Sequence, residues 1–194
     1  MNSFQALRPD IEVNGHTILS VVAGLRFLGD IPLQILAHHG LDQVDPEDWY
    51  PQQAWLDAFS EIARKIGDQG LYLIGRTIPD QADFPENIRS IEDALASIDI
   101  AYHMNHRDRQ GLLWDAEKRT MREGIGHYRF ELVDPGKGVV LCDNPYPCPF
   151  DQGIVQAMGN RFRPEGTMFV HLEHGAHLPC RRRGDDRCEY IVTW

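Results

Sequence analysis

Positive charge is scarce in this chain. Its 19 lysines and arginines face 29 aspartates and glutamates, for a formal net charge of −10. Such a field repels polyphosphate, so duplex DNA or RNA is not expected as a direct partner. The one dense basic run, Arg181-Arg182-Arg183, meets Gly184-Asp185-Asp186 at once, and reads as a solvated turn whose carboxylates offset it. Long apolar runs are missing too. The longest, from 18 to 28, is interrupted by Ser20, Gly24 and Arg26, so no membrane span is expected. Residues 1–10 lack the basic-then-apolar order of a secretory signal, which makes the cytosol the expected compartment. Cysteine is limited to positions 142, 148, 180 and 188. In a reducing compartment these are thiols or metal ligands before they are disulfides. Enzyme signatures are also lacking. Gly136-Lys137-Gly138 has no phosphate-loop context, and no Gly-x-Ser-x-Gly elbow occurs. Glu47, Asp48, Glu92 and Asp93 sit at predicted helix starts, where the helix dipole favours acids over any catalytic pairing. A catalyst is therefore not expected.

What is present is an ordinary globular composition, 42% hydrophobic and 25% charged over 194 residues. One domain over 1–194 is expected, with an N-terminal helical extension over about 1–45. Ile18, Val21, Val22, Leu25 and Leu28 recur at helical spacing, and the face they form must be covered, which predicts a homodimer. Trp55, Phe59, Ile62 and Ile66 mark an amphipathic helix stopped by Gly67, with a further helix from Leu71. Another helix is predicted over 88–106. After it the patterning changes: strands are predicted over 127–133, 139–142, 167–172 and 187–193, with a helix over 152–162 between them. The three prolines 145, 147 and 149 predict irregular chain. Together these features predict an α+β fold, a helical layer packed on a twisted antiparallel sheet with one helix inserted between strands.

The most specific chemical feature is the pair Cys180 and Cys188, eight apart around a Gly-Asp-Asp turn. On antiparallel strands joined by that turn both sulfurs could reach one tetrahedral zinc, with Cys148 and Cys142 nearby in sequence and His171, His174 and His177 close at hand. The alternative is that the thiols are buried apolar groups. Trp55, Phe59, Tyr72, Tyr102 and Phe130 are the candidates for lining a pocket for a small apolar or aromatic molecule; the alternative is that they are plain core.

Tyr72-Leu73-Ile74-Gly75-Arg76 after an amphipathic helix, and the ending from Gly153-Ile154-Val155-Gln156 through Cys180 and Gly184-Asp185-Asp186-Arg187-Cys188-Glu189-Tyr190, resemble the 4-vinyl reductase-type, or hydrocarbon-binding, domain. The resemblance is sharpest over about the last forty residues. It implies the fold shared by haem nitric-oxide sensor domains and Golgi transport-complex subunits. It also implies a zinc held in part by Cys180 and Cys188. Met158 or Gly159 stands where that family has another cysteine, so Cys148 is the substitute third ligand, with Cys142 or His177 as the fourth. His103 and His106 could ligate haem iron, but the Tyr-x-Ser-x-Arg clamp of the haem sensors is absent, so haem is not expected and the two histidines are read as capping a helix end. The expected function is small-molecule binding or sensing with a zinc; an enzyme acting on a tetrapyrrole and an assembly subunit are the alternatives.

Overall fold

A computed structural model describes residues 3–194. In chain order the elements are β1 (Glu12–Asn14), α1 (Gly15–Ala23), α2 (Ile31–His38), β2 (Trp49–Pro51), α3 (Gln52–Thr77), α4 (Ile91–Met104), β3 (His106–Asp108), β4 (Gly111–Leu112), β5 (Trp114–Asp115), β6 (Thr120–Met121), β7 (Tyr128–Asp134), β8 (Lys137–Cys142), α5 (Cys148–Arg161), β9 (His171–Glu173) and β10 (Cys188–Thr193). The main sheet is antiparallel in the order β7-β8-β10-β9, with α5 inserted between β8 and β9. The α+β architecture is the expected one. Period-two alternation sets which face is covered: Gly138, Val140 and Cys142 on β8 and Cys188, Tyr190 and Val192 on β10 are buried while their neighbours are not. A smaller antiparallel sheet, β2-β1-β3-β4, ties the N-terminal segment to the chain that follows α4.

Local chemistry explains most element ends. Asn14 caps α1 by accepting from the Thr17 amide. Ser90 and Asp93 form a reciprocal capping box at the start of α4. Gly67 breaks α3 with φ 65° and ψ −173°, a conformation favouring glycine, so the two predicted helices appear as two arms joined end to end. The proline-rich run is partly regular, contrary to expectation. Pro147 is the N-cap of α5 and Pro149 lies in its first turn, where a missing N–H costs no hydrogen bond. The predicted strand over 167–172 is shorter than expected; Met168 and Phe169 are exposed and precede β9. Cys180 is on no strand. It precedes a 3-10 turn formed by Arg181–Arg183.

The apolar face predicted to require a dimer is covered by the chain itself. Ile18, Val21 and Leu25 are buried in the same core as Trp55, Phe59 and Leu95. Burial of that stripe thus calls for no second copy. No helix among the described residues is long and apolar enough to cross a membrane.

The helical layer meets the inserted helix most intimately where α3 crosses α5. A Cβ on Gly75 would collide with the Phe150 carbonyl, and one on Gly153 with the Tyr72 carbonyl, so the two backbones touch there. Gly75→Ala and Gly153→Ala should each destabilise the fold by about 1–3 kcal/mol, the usual range for overpacking, seen as a lower urea midpoint with an unchanged slope.

Candidate metal centre and buried histidines

Three of the expected thiols converge. Cys148 opens α5, Cys188 opens β10, and Cys180 precedes the 3-10 turn. The Cys148 sulfur lies 3.1 Å from that of Cys188 and 3.6 Å from that of Cys180. The fourth member is His174, just after β9. One donor atom from each of the four lies within 4.8 Å of the others. Ligands at ~2.3 Å from a tetrahedral zinc stand about 3.8 Å apart, so the set needs only small adjustment to close on an ion. The donors expected for the fourth place are elsewhere. Cys142 is the Cα partner of Cys188 across β8 and β10 but does not join the group, and His177 is largely exposed and faces Glu173 at 3.4 Å. His171 is exposed on β9.

His174 has the orientation that a metal ligand requires. Its Nδ1 lies 2.7 Å from the Glu189 carbonyl, to which it donates, and its ring packs on Tyr190 at 4.4 Å between centroids. Nε2 is buried without a hydrogen-bond partner among the described residues. Tethering one ring nitrogen to a carbonyl fixes the tautomer and leaves the other free to ligate.

Behind the thiols lies a buried ion pair. Arg181, read from sequence as part of a solvated turn, is enclosed, and its Nη2 lies 2.5 Å from Asp151 Oδ2. Its Nε and its backbone N–H donate to the Cys188 sulfur at 3.3 and 3.4 Å, and Nη1 reaches Asn144 at 3.3 Å. The Tyr128 hydroxyl donates to Asp151 at 2.6 Å. The Cys148 sulfur, with His174 and the Arg181 guanidinium, pulls the Cys188 pKa down, while the same contact and burial push that of Cys148 up. Of the basic run, Arg182 pairs with Asp68 at 2.6 Å, so these residues serve the fold.

Beside Cys148 and Cys180 a cavity of about 460 Å³ opens, and Tyr72 lines it. The other aromatics expected to line a pocket are divided. Trp55, Phe59 and Tyr102 belong to one chain of ring contacts: Trp55 stacks on Phe59 at 5.1 Å, Phe59 meets Phe150 at 5.2 Å, and Tyr102 meets Tyr128 at 5.2 Å and Tyr146 at 6.1 Å. Phe130 lies apart on β7 over Gly138.

The end of α4 carries a second polar cluster, and its histidines are not helix-end solvators. His103 and His106 are fully buried. Their Nδ1 atoms lie 2.8 Å from the carbonyls of Asp99 and Tyr102, and their Nε2 atoms have no hydrogen-bond partner among the described residues. Asp99 lies 3.0 Å from His127 Nδ1 and accepts from the Tyr128 amide at 2.9 Å; Glu123 lies 2.9 Å from His127 Nε2. Burial works against the Asp99 charge, but the bonds from His103, His127 and Tyr128 outweigh it and hold the carboxyl well below its usual range. Asp99, with Glu123 as the second acceptor, lifts His127 to about 9, whereas burial pushes His106 down to about 4.

No family model matches this chain, and no curated protein does. Solved structures do. An H-NOX protein from S. oneidensis in the Fe(II)NO ligation state aligns over 93% of this chain and 98% of its own, at 12% identity and TM-score 0.59. An oxygen-binding H-NOX domain related to soluble guanylate cyclases, in its oxygen complex, aligns over 93% and 94%, at 13% identity and TM-score 0.62. A protein described for haem redox potential modulated by porphyrin distortion aligns over 93% and 94%, at 14% identity and TM-score 0.61. The chain has the fold of the H-NOX domains. That kinship overturns the expectation against haem, which rested on one missing clamp motif: proteins sharing the fold are described with porphyrin, Fe(II)NO and oxygen.

Two outcomes follow for the site. Were zinc held by these four donors, Arg181→Met would keep all of them but remove the guanidinium from Cys188, and would weaken binding roughly 10–100-fold in chelator competition. For His127, the folded pKa of about 9 exceeds the ordinary 6.5, so its contribution to stability is complete below 6.5 and is lost as pH rises through about 9. Urea unfolding of the parent should show that decline, and His127→Gln should flatten it.

Proposed function

We propose that this chain is a small-molecule-sensing domain on the H-NOX fold, built around a structural zinc held by Cys148, His174, Cys180 and Cys188. The observation that supports the zinc most strongly is the His174 Nε2, buried and aimed at three sulfurs that are its only neighbours of ligand type in the cluster. Four protein donors close the coordination shell, and a closed shell stabilises structure where catalysis needs an open position. The ion would join the first turn of α5 to the start of β10 and to the segments before and after them. Cys180 and Cys188 around Gly184-Asp185-Asp186 are also the residues that carry the resemblance to the 4-vinyl reductase-type domain.

The sensed molecule belongs in the helical half. His103 and His106 meet the donor requirement of haem: each is buried, is tethered through Nδ1 and leaves Nε2 free. His106 stays neutral because burial holds its pKa near 4, and a neutral imidazole is the form that ligates iron. Bound there, haem would supply an iron centre for a diatomic gas. The rings of Trp55, Phe59 and Tyr102 are the apolar surface that such a ligand, or another flat aromatic molecule, would displace or stack upon.

Elemental analysis of untagged protein should find zinc near one equivalent. Cys180→Ser and Cys188→Ser should lose it and melt at lower temperature. Absence of metal together with unchanged melting of both variants would remove the zinc. Haemin titration should produce a Soret band that is lost in His103→Ala or in His106→Ala; a parent spectrum identical to free haemin would instead leave an apolar, non-haem ligand as the reading.

A further inference from the structure

A second set of metal donors lies at the other helical junction, where α2 ends against α3. Neighbouring residues on a helix project to different sides and do not normally share a partner. His38 and His39 escape that limit because α2 stops between them: His38 is its last residue, and His39 is the C-cap, with φ −97° and ψ 18°. Their rings approach to 5.0 Å between centroids. Both point at one oxygen of Glu61 on α3. His39 Nε2 lies 3.0 Å from Glu61 Oε2, and His38 Nδ1 lies 3.5 Å from the same atom. One donor atom from each of the three residues lies within 4.8 Å of the others.

We propose that His38, His39 and Glu61 form a binding site for a borderline divalent transition cation such as zinc, nickel or copper, bridging α2 and α3. Two imidazoles and one carboxylate suit these ions, whereas calcium and magnesium prefer oxygen donors throughout. The site carries one negative charge when both rings are neutral and lies at the C-terminal end of α2, where the helix dipole favours a cation. Desolvation costs little, because His38 is largely exposed and the other two are half-buried. A cavity of about 280 Å³ adjoins His38 and Glu61, bounded by Ile31, Gln34, Ile35 and Lys65. Three protein donors therefore leave coordination positions facing open space, where water or a small anion can complete the shell. The ion would be exchangeable, unlike one enclosed by the Cys3His centre. It would also fasten α2 to the first arm of α3, beside the burial of Ile35 and Leu36 of α2 in the common core.

The test is titration of nickel chloride into protein loaded with a single equivalent of zinc and then stripped of weakly held metal by brief chelator treatment and gel filtration, followed calorimetrically, with copper(II) paramagnetic resonance as the second readout. The parent should take up one further equivalent, and its copper spectrum should show coupling to imidazole nitrogen. Glu61→Gln and His39→Gln should lose that equivalent while melting like the parent in the absence of nickel. Nickel should raise the melting temperature of the parent and not of the variants. A parent that binds no further equivalent, or variants that bind it as the parent does, would overturn the site and reduce the cluster to an ion pair. Neither result bears on the zinc content of the thiol centre, which is measured separately.

Discussion

The contact between Arg181 and Asp151 organises the C-terminal half of this protein. An ion pair removed from water is held by geometry and by additional hydrogen bonds, because desolvation offsets most of the attraction between the charges. Here those bonds reach in every direction. Asp151 belongs to α5 and also accepts from Tyr128 on β7. Arg181 belongs to the 3-10 turn and also donates to Cys188 on β10 and to Asn144. Removing either charge would leave the other buried and alone, a defect of the class that costs about 3–5 kcal/mol. The pair thus fixes the inserted helix, two sheet strands and the cysteine-bearing turn relative to one another before any ion is considered. A metal entering among the thiols would meet a scaffold already set in place.

That arrangement joins two regions that sequence reading treats separately. Tyr128 touches Asp151 with its hydroxyl and Tyr102 with its ring. Tyr102 in turn packs on His106 at 4.7 Å. An unbroken series of contacts therefore runs from the imidazole of His106, at the start of β3, to the sulfur of Cys188. Its members are rings with defined rotamers and a buried ion pair, so a displacement at one end has few ways to be absorbed before it reaches the other.

Much of the fold was legible because its signals are local. The strand formers of 127–133, 139–142 and 187–193, the stripe from Trp55 to Ile66 and the glycine at 67 each report on their own segment. The site was legible in part for a related reason. Cys180 and Cys188 flank a recognisable turn, and Cys148 was the remaining thiol nearest in sequence to α5. His174 was not separable from His171 and His177, since the three are equally spaced; what selects it is the end of β9 and its tether to Glu189, both matters of tertiary packing. Arg181 and Asp151 were missed because charges in sequence look solvated by default, and only the fold shows that each has the other. His103 and His106 were misjudged similarly: helix-end position suggested water, whereas both are buried, His103 against His127 and His106 against Tyr102.

The outer strand β7 has a consequence of a different kind. It ends the main sheet, so one of its edges has no neighbouring strand among the described residues, and Leu132 and Val133 are exposed near its end. An edge of that sort is a template on which another chain could continue the sheet. Two features of β7 oppose this. Arg129, Glu131 and Asp134 place charges of both signs along it, and the register slips between Leu132 and Asp134, where a bulge bends the strand away from a flat ladder. The irregularity that spoils the pairing of β7 with β8 at one end thus also makes the outer edge of β7 a poorer template for a further strand.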